Sequence, residues 1–411
     1  MAMVNSASPV PGDAPSYIGR YRVIERIGKG AMGMVYAADD GRMGRRVAIK
    51  MMMADLEEQP DTRERFYREA KVTGQLVHPN IVTVFDLGED HGRPYIVMEL
   101  LRGTPLGQYL HRPETRALDA KLDLMLQICD GLHAAHERSV IHRDVKPSNL
   151  FVQPDGTLKI LDFGIAHLAA STLTASGFLV GTPEYMSPEQ ARGTLVDKRS
   201  DVFSAASVFY FMVTGRPPFG YGDIPKVLTA VMHSPPTAIL PHEAPEALTR
   251  VLLKALEKYP ERRYQSCAHM RAEIEQIRRA QNTERDRLAR AALDRYQRIE
   301  ALIEERRVLG HRLQIADIDV LCTEAMARLA QRFPDFARGA TDDTLMAPPD
   351  FETSSAAVTQ LQAEHNAELA TVDVLRAADG DSGAGRSSLR DRAVALLNRL
   401  RTDRDASKGS L

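Results

Sequence analysis

The sequence predicts an α+β fold of two unequal lobes, a small sheet-rich lobe with one helix and a larger helical lobe, followed by a helical C-terminal extension. Three observations predict it. Residues 21–97 carry short apolar or alternating runs separated by glycine and charge, as strands do. Residues 106–280 carry apolar residues mainly at helical spacing. Residues 283–313 are rich in Arg, Glu, Ala and Leu, the composition of a long amphipathic helix.

The elements follow in order. Residues 1–16 contain Pro9, Pro11, Gly12 and Pro15 and no apolar signal core, so a flexible leader is expected. Strands are expected at 21–27, 35–38, 47–51, 81–87 and 95–100, and a helix at 62–76. Two strand-like pieces, 150–152 and 158–161, flank the turn Gln153-Pro154-Asp155-Gly156. The apolar stretch 202–213 is short for a bilayer and contains Ser204 and Ser207, so a buried helix is expected and no membrane span. Leu288, Ala292, Tyr296, Ile299, Ile303 and Leu313 give 281–333 a helical, imperfectly coiled-coil pattern, with Pro334 ending a second helix at 315–332. Residues 334–411 read as partly helical, partly disordered: a loop at 341–355, a helix at 356–377, a linker at 379–388 and a short basic helix at 389–400.

Composition narrows the class. The chain is 44% hydrophobic and 26% charged with a net charge of −2, an ordinary globular balance that points to neither nucleic acid nor an anionic membrane. Cys129, Cys267 and Cys322 lie far apart with no CxxC or zinc spacing, so reduced thiols and a cytoplasmic location are expected.

Four motifs carry chemistry. Ile27-Gly28-Lys29-Gly30-Ala31-Met32-Gly33-Met34-Val35 is a glycine-rich hairpin whose backbone N–H groups can approach phosphate oxygens. A dinucleotide fold would need a helix after it, and a strand follows instead. Lys50 closes the strand Val47-Ala48-Ile49-Lys50 and needs an anionic partner; Glu69 is preferred and Glu64 is the alternative. In His142-Arg143-Asp144-Val145-Lys146-Pro147-Ser148-Asn149, Asp144 can accept a hydroxyl proton and Lys146 can neutralise a phosphoryl group. Asn149, with Asp162 of Asp162-Phe163-Gly164, offers the oxygen ligands that Mg²⁺ prefers. Any one of these is a turn or a strand end; all four in this order are not.

This set, with the later Ser187-Pro188-Glu189, resembles the protein-kinase signature, and its style resembles the bacterial eukaryotic-type serine/threonine kinases. The resemblance implies a bilobal protein-kinase fold over 17–280, split near residues 101 and 102. It implies transfer of the γ-phosphoryl group of ATP to protein Ser or Thr, with Mg²⁺ (or Mn²⁺) as the ion. Catalytic roles fall to Asp144, Lys146, Lys50 and Glu69. The glycine hairpin 27–35 would cover ATP. Ile27, Val35, Ala48 and Phe151 would sandwich the adenine, and Met98 would stand as gatekeeper. Glu99 and Leu101 would offer hinge backbone bonds. Thr182, bonding near Asp144, would shape the site for a short hydroxyl side chain. Asp201 would brace the catalytic loop, and Glu189 would pair with Arg263. Thr174 and Ser176 match autophosphorylated loop sites, with Arg143 to dock the phosphate. Ser187 stands where the family usually has alanine, and Ala206 where it often has glycine; neither touches the reacting atoms. Partners implied are protein substrates, with self-association through the C-terminal helices. The rival reading is a nucleotide-binding pseudokinase scaffold.

Overall fold

The structure, a computed structural model, describes residues 15–29, 33–52, 67, 70–115, 117–163, 182–339 and 351–380, with 388, 391–392 and 394–395 beyond them. It divides into two compact units, Met1–Arg278 and Arg279–Leu411.

In the first unit an antiparallel sheet runs in the order β1-β2-β3-β4-β6-β5. Its strands are β1 (Tyr17–Ile18), β2 (Tyr21–Lys29), β3 (Gly33–Asp40), β4 (Arg45–Met52), β5 (Val84–Asp90) and β6 (Arg93–Glu99). Turn chemistry sets the register. His91 and Gly92 link β5 to β6 with φ of 48° and 84°, a two-residue loop whose positive-φ conformation matches the right-handed twist of the paired strands. Between β3 and β4, Asp40 Oδ1 accepts the N–H groups of Arg42 and Met43. The expected strand at 81–87 begins later, at Val84, because Ile81 instead bridges Ile160. Of the expected helix at 62–76, the described part is helical at 67 and 70–73.

The helical lobe follows. A small sheet joins β7 (Thr104–Pro105), β8 (Leu150–Val152) and β9 (Leu158–Ile160). The helices here are α1 (Leu106–Tyr109), α2 (Leu118–His136), α3 (Pro188–Ala191), α4 (Lys198–Thr214), α5 (Ile224–His233), α6 (Glu246–Ala255) and α7 (Cys267–Arg312). The apolar stretch expected as a buried helix is α4, buried around nearly its whole circumference, capped by Asp197 and ended by Gly215 at φ 72°. Helix α2 packs so closely on β9 that a Cβ at Gly131 would stand 2.7 Å from Ile160 Cδ1. The two lobes are pinned by Asn80, whose amide donates to Gln127 Oε1 and to the Leu158 carbonyl, both at 2.9 Å.

The second unit takes up α7 from residue 279 with α8 (Ile318–Arg332), α9 (Pro334–Gly339) and α10 (Phe351–Gly380). Pro334 ends one helix as expected, and also starts the next, at a first-turn position where its missing N–H costs nothing. Residues 351–355, expected within a loop, are helical. Ala292, Tyr296, Ile299, Ile303 and Leu313 share one buried cluster with Cys322, Leu361, Val372 and Leu375, so the apolar stripe is covered by helices of the same chain. Leu288 is half-buried. Inside this cluster Arg306 and Glu368 form a 2.6 Å ion pair, each side chain 3% exposed.

Candidate active site

The site is assembled along the seam of the two lobes of the first unit. From the sheet, β4 delivers Lys50, whose backbone lies opposite Val35 at the base of the glycine hairpin. Its Nζ stands 2.6 Å from Asp162 Oδ1. Burial pushes the Asp162 carboxyl up, but the Lys50 ammonium outweighs this and holds it below its ordinary value. Glu69 and Glu64, the partners weighed for Lys50, lie outside the described residues, as do Gly30, Ala31, Met32, Thr174 and Ser176.

From the helical lobe, the segment before β8 delivers Asp144, Lys146 and Asn149. Asn149 Nδ2 donates to the Asp144 carbonyl and to Asp144 Oδ2, both at 2.9 Å. Lys146 Nζ also meets Asp144 Oδ2, at 2.8 Å. Both bonds fall on one carboxylate oxygen, and Oδ1 takes part in neither. Because its amide nitrogen is committed, Asn149 has its oxygen left for a hard cation, and the Asp162 carboxylate would be the second such ligand. Main-chain bonding brings these ligands together: the Leu161 N–H donates to the Asn149 carbonyl at 2.8 Å. The donor set therefore fits Mg²⁺.

The segment that carries Asp144 and the start of Asp162-Phe163-Gly164 are each held in an unusual backbone state. Arg143 and Asp162 have φ of 66° and 56°, a region that non-glycine residues rarely occupy. Asp201, fully buried on α4, accepts the N–H of His142 and of Arg143 at 2.8 Å each, and His136 Nε2 at 2.7 Å. Burial would raise its carboxyl; the bond to His136 and the charge of that ring, with His142 and its N–H, hold it below its ordinary value. His142 Nδ1 accepts the Asp144 N–H at 3.1 Å and Nε2 faces the Leu161 carbonyl at 2.8 Å, which assigns the proton to Nε2. Deeper in the lobe, Arg263 grips Glu189 with two 2.8 Å bonds, and Ser200 donates to the same carboxylate.

Apolar residues line the sheet side. Ile27, Ala37 and Ala48 cluster with Val35, Met98 and Leu100; Val82, Leu101 and Phe151 cluster with Met98 and Leu161. Met98 thus packs against both clusters, the first holding Ile27, Val35 and Ala48 and the second Phe151, the four residues expected to sandwich the adenine, with Ala37, Leu100, Val82 and Leu161 beside them. Gly28, Lys29, Gly33 and Met34 lie at the paired ends of β2 and β3. Glu99 proves to act through its side chain, which the sequence reading did not foresee. Its carboxylate accepts the Thr83 N–H at 2.7 Å and pairs with Lys159 at 2.8 Å, while its own N–H donates to the Thr83 carbonyl. Among the described residues the Asp144 carboxylate is bonded to Asn149 and Lys146, and Thr182 is not one of its partners.

A family described as the protein kinase domain matches residues 21–275. A probable serine/threonine-protein kinase of Corynebacterium efficiens is 41% identical over 275 residues, covering 63% of this chain and 41% of that one. The serine/threonine-protein kinase Pkn1 of Myxococcus xanthus is 41% identical over 262 residues, covering 62% and 37%. For PknB of Mycobacterium tuberculosis the identity is 41% over 275 residues, covering 64% and 44%. The chain thus spans less than half the length of these relatives. Among solved structures, the PknI kinase domain of Mycobacterium tuberculosis superposes with a TM-score of 0.51 at 27% identity, covering 63% of this chain and 97% of that domain.

Proposed function

The chain belongs to the protein kinase family, and from that premise we propose that it transfers the γ-phosphoryl group of ATP to serine or threonine hydroxyls of protein substrates. One observation carries the reading: Lys50–Asp162 and Lys146–Asp144–Asn149 are two ion-paired sets joined through the Leu161–Asn149 main-chain bond. Phosphoryl transfer asks the protein chiefly for positioning and charge neutralisation. Lys50 would hold the nonreacting phosphates from the sheet side. Asp162 and Asn149 would hold Mg²⁺, which supplies positive charge at the phosphate oxygens. Asp144 Oδ1 would take the hydroxyl proton and aim the oxygen in line, with Lys146 beside it as a counter-charge to the moving phosphoryl group. Every group that turnover requires of these residues is present, which favours an active enzyme over a pseudokinase scaffold.

Asp144→Asn and Lys50→Met are each expected to lower phosphate incorporation from labelled ATP by roughly a hundredfold or more. Incorporation near the unsubstituted level in either variant would overturn these roles.

Regulation is proposed on the same basis. Among the described residues the buried Arg143 Nε has no hydrogen-bond partner and no carboxylate pairs with Arg143. This supports phosphate docking from Thr174 or Ser176. Mass spectrometry finding both residues unmodified in a fully active preparation would contradict it. Among the described residues no helix is long and apolar enough to cross a membrane. A cytoplasmic location, Ser/Thr preference through Lys146 and Thr182, and self-association through residues 281–411 complete the proposal.

A further inference from the structure

We infer that Gln190 is a positioning residue for phosphoryl transfer, clasping the peptide group that carries Asp144. The inference rests on the kinase reading above only for its effect on turnover. Gln190 is the third helical residue of α3, and its side-chain amide reaches two ways. Its Oε1 accepts the Ser187 N–H at 3.0 Å and faces the Ser187 hydroxyl at 3.1 Å, while the Gln190 N–H bonds back to that hydroxyl. This is a capping box, and a glutamate would serve it as well as a glutamine. Its Nε2, however, donates to the Arg143 carbonyl at 2.6 Å. The two neighbours fix which end of the amide is which, since a backbone N–H demands the oxygen and a carbonyl demands the nitrogen.

That carbonyl matters because of where it sits. The peptide unit from Arg143 to Asp144 is one rigid plane. Gln190 holds its C=O edge, and His142 Nδ1 holds its N–H edge at 3.1 Å. Arg143 itself is in the left-handed region at φ 66°, where an unsupported residue would relax toward negative φ. Asp201 restrains the plane before Arg143 by taking its N–H at 2.8 Å. Gln190 restrains the plane after it, the one from which the Asp144 side chain departs. The clasp thus ties the helix behind Thr182 to the catalytic loop, two elements that must agree on where the acceptor hydroxyl lies.

Gln190→Glu separates the two tasks. The carboxylate keeps the cap to Ser187 but offers an acceptor where the Arg143 carbonyl needs a donor. The full chain carrying this change is expected to stay folded at the assay temperature, to keep its ATP affinity and to lose roughly tenfold in kcat. Hydrogen exchange of the peptide spanning 140–146 is expected to accelerate, and this readout needs no turnover. An inactive unsubstituted protein would therefore sink the kinase reading while the clasp still stood or fell on exchange. Unchanged kcat together with unchanged exchange would overturn the inference. So would a fall in thermal midpoint that accounts for the lost activity, because the residue would then be purely structural.

Discussion

At the scale of single residues, the ion pairs of this protein differ by what surrounds them. Lys50–Asp162 lies where nucleotide would enter, with 35% of the Asp162 side chain exposed, so the pair can exchange partners. Arg263–Glu189 is sealed, at 0% and 7% exposure, and every guanidinium nitrogen of Arg263 also finds an oxygen acceptor. A sealed pair contributes little over a well-packed apolar pair, but breaking one side strands a buried charge. Glu189→Gln is accordingly expected to cost about 3–5 kcal/mol, read as a lower denaturation midpoint. The pH dependence has a definite sign. Burial raises the Glu189 carboxyl, yet Arg263 and Ser200 hold it below its ordinary value. Its contribution is then complete above the unfolded glutamate value of about 4.3 and is lost as pH falls through the lower folded value. Unfolding curves between neutral and acid pH should show a steeper acid loss in the unsubstituted protein than in Glu189→Gln; parallel curves would contradict this.

At the scale of elements, the glycine hairpin shows how one motif serves two physical needs. From the motif alone, all three glycines are expected to let the backbone approach phosphate. Gly33 has a second reason: a Cβ there would stand 2.0 Å from the Met51 carbonyl, a backbone atom of the paired strand that cannot move aside. Gly41, in the next turn, has nothing within 4 Å of such a Cβ. Gly33→Ala is therefore expected to destabilise by about 1–3 kcal/mol and weaken nucleotide binding, with Gly41→Ala close to neutral in both. Equal effects in a denaturant titration would refute the packing explanation. Most of the site's elements were legible because their chemistry is local: a lysine at a strand end, carboxylates in turns beside strands. Gln190, His136 and the Glu99–Lys159 pair were not. Their partners lie 47, 65 and 60 residues away, and no spacing rule links a side chain to a carbonyl or carboxylate that only folding brings near.

At the scale of the whole molecule, the boundary of units does not coincide with the end of an element. Helix α7 is continuous from Cys267 to Arg312, while the units divide between Arg278 and Arg279. Each unit has its own buried apolar cluster, so calorimetry of the full chain should show two transitions, with Mg²⁺ and ATP raising one midpoint only. A single transition that shifts as a whole would argue that the units unfold together. The sequence alone determined the two-lobed order of strands and helices and, through the resemblance of its motifs, the family, because periodicity and motif chemistry are written in neighbours along the chain. Only the tertiary structure decided which carboxylate oxygen of Asp144 is bonded by Asn149 and Lys146, what holds Arg143 in its left-handed state and what covers the apolar stripe of α7. Those depend on atoms far apart in sequence, and on burial, which sets how strongly each charge and each unpaired polar group counts.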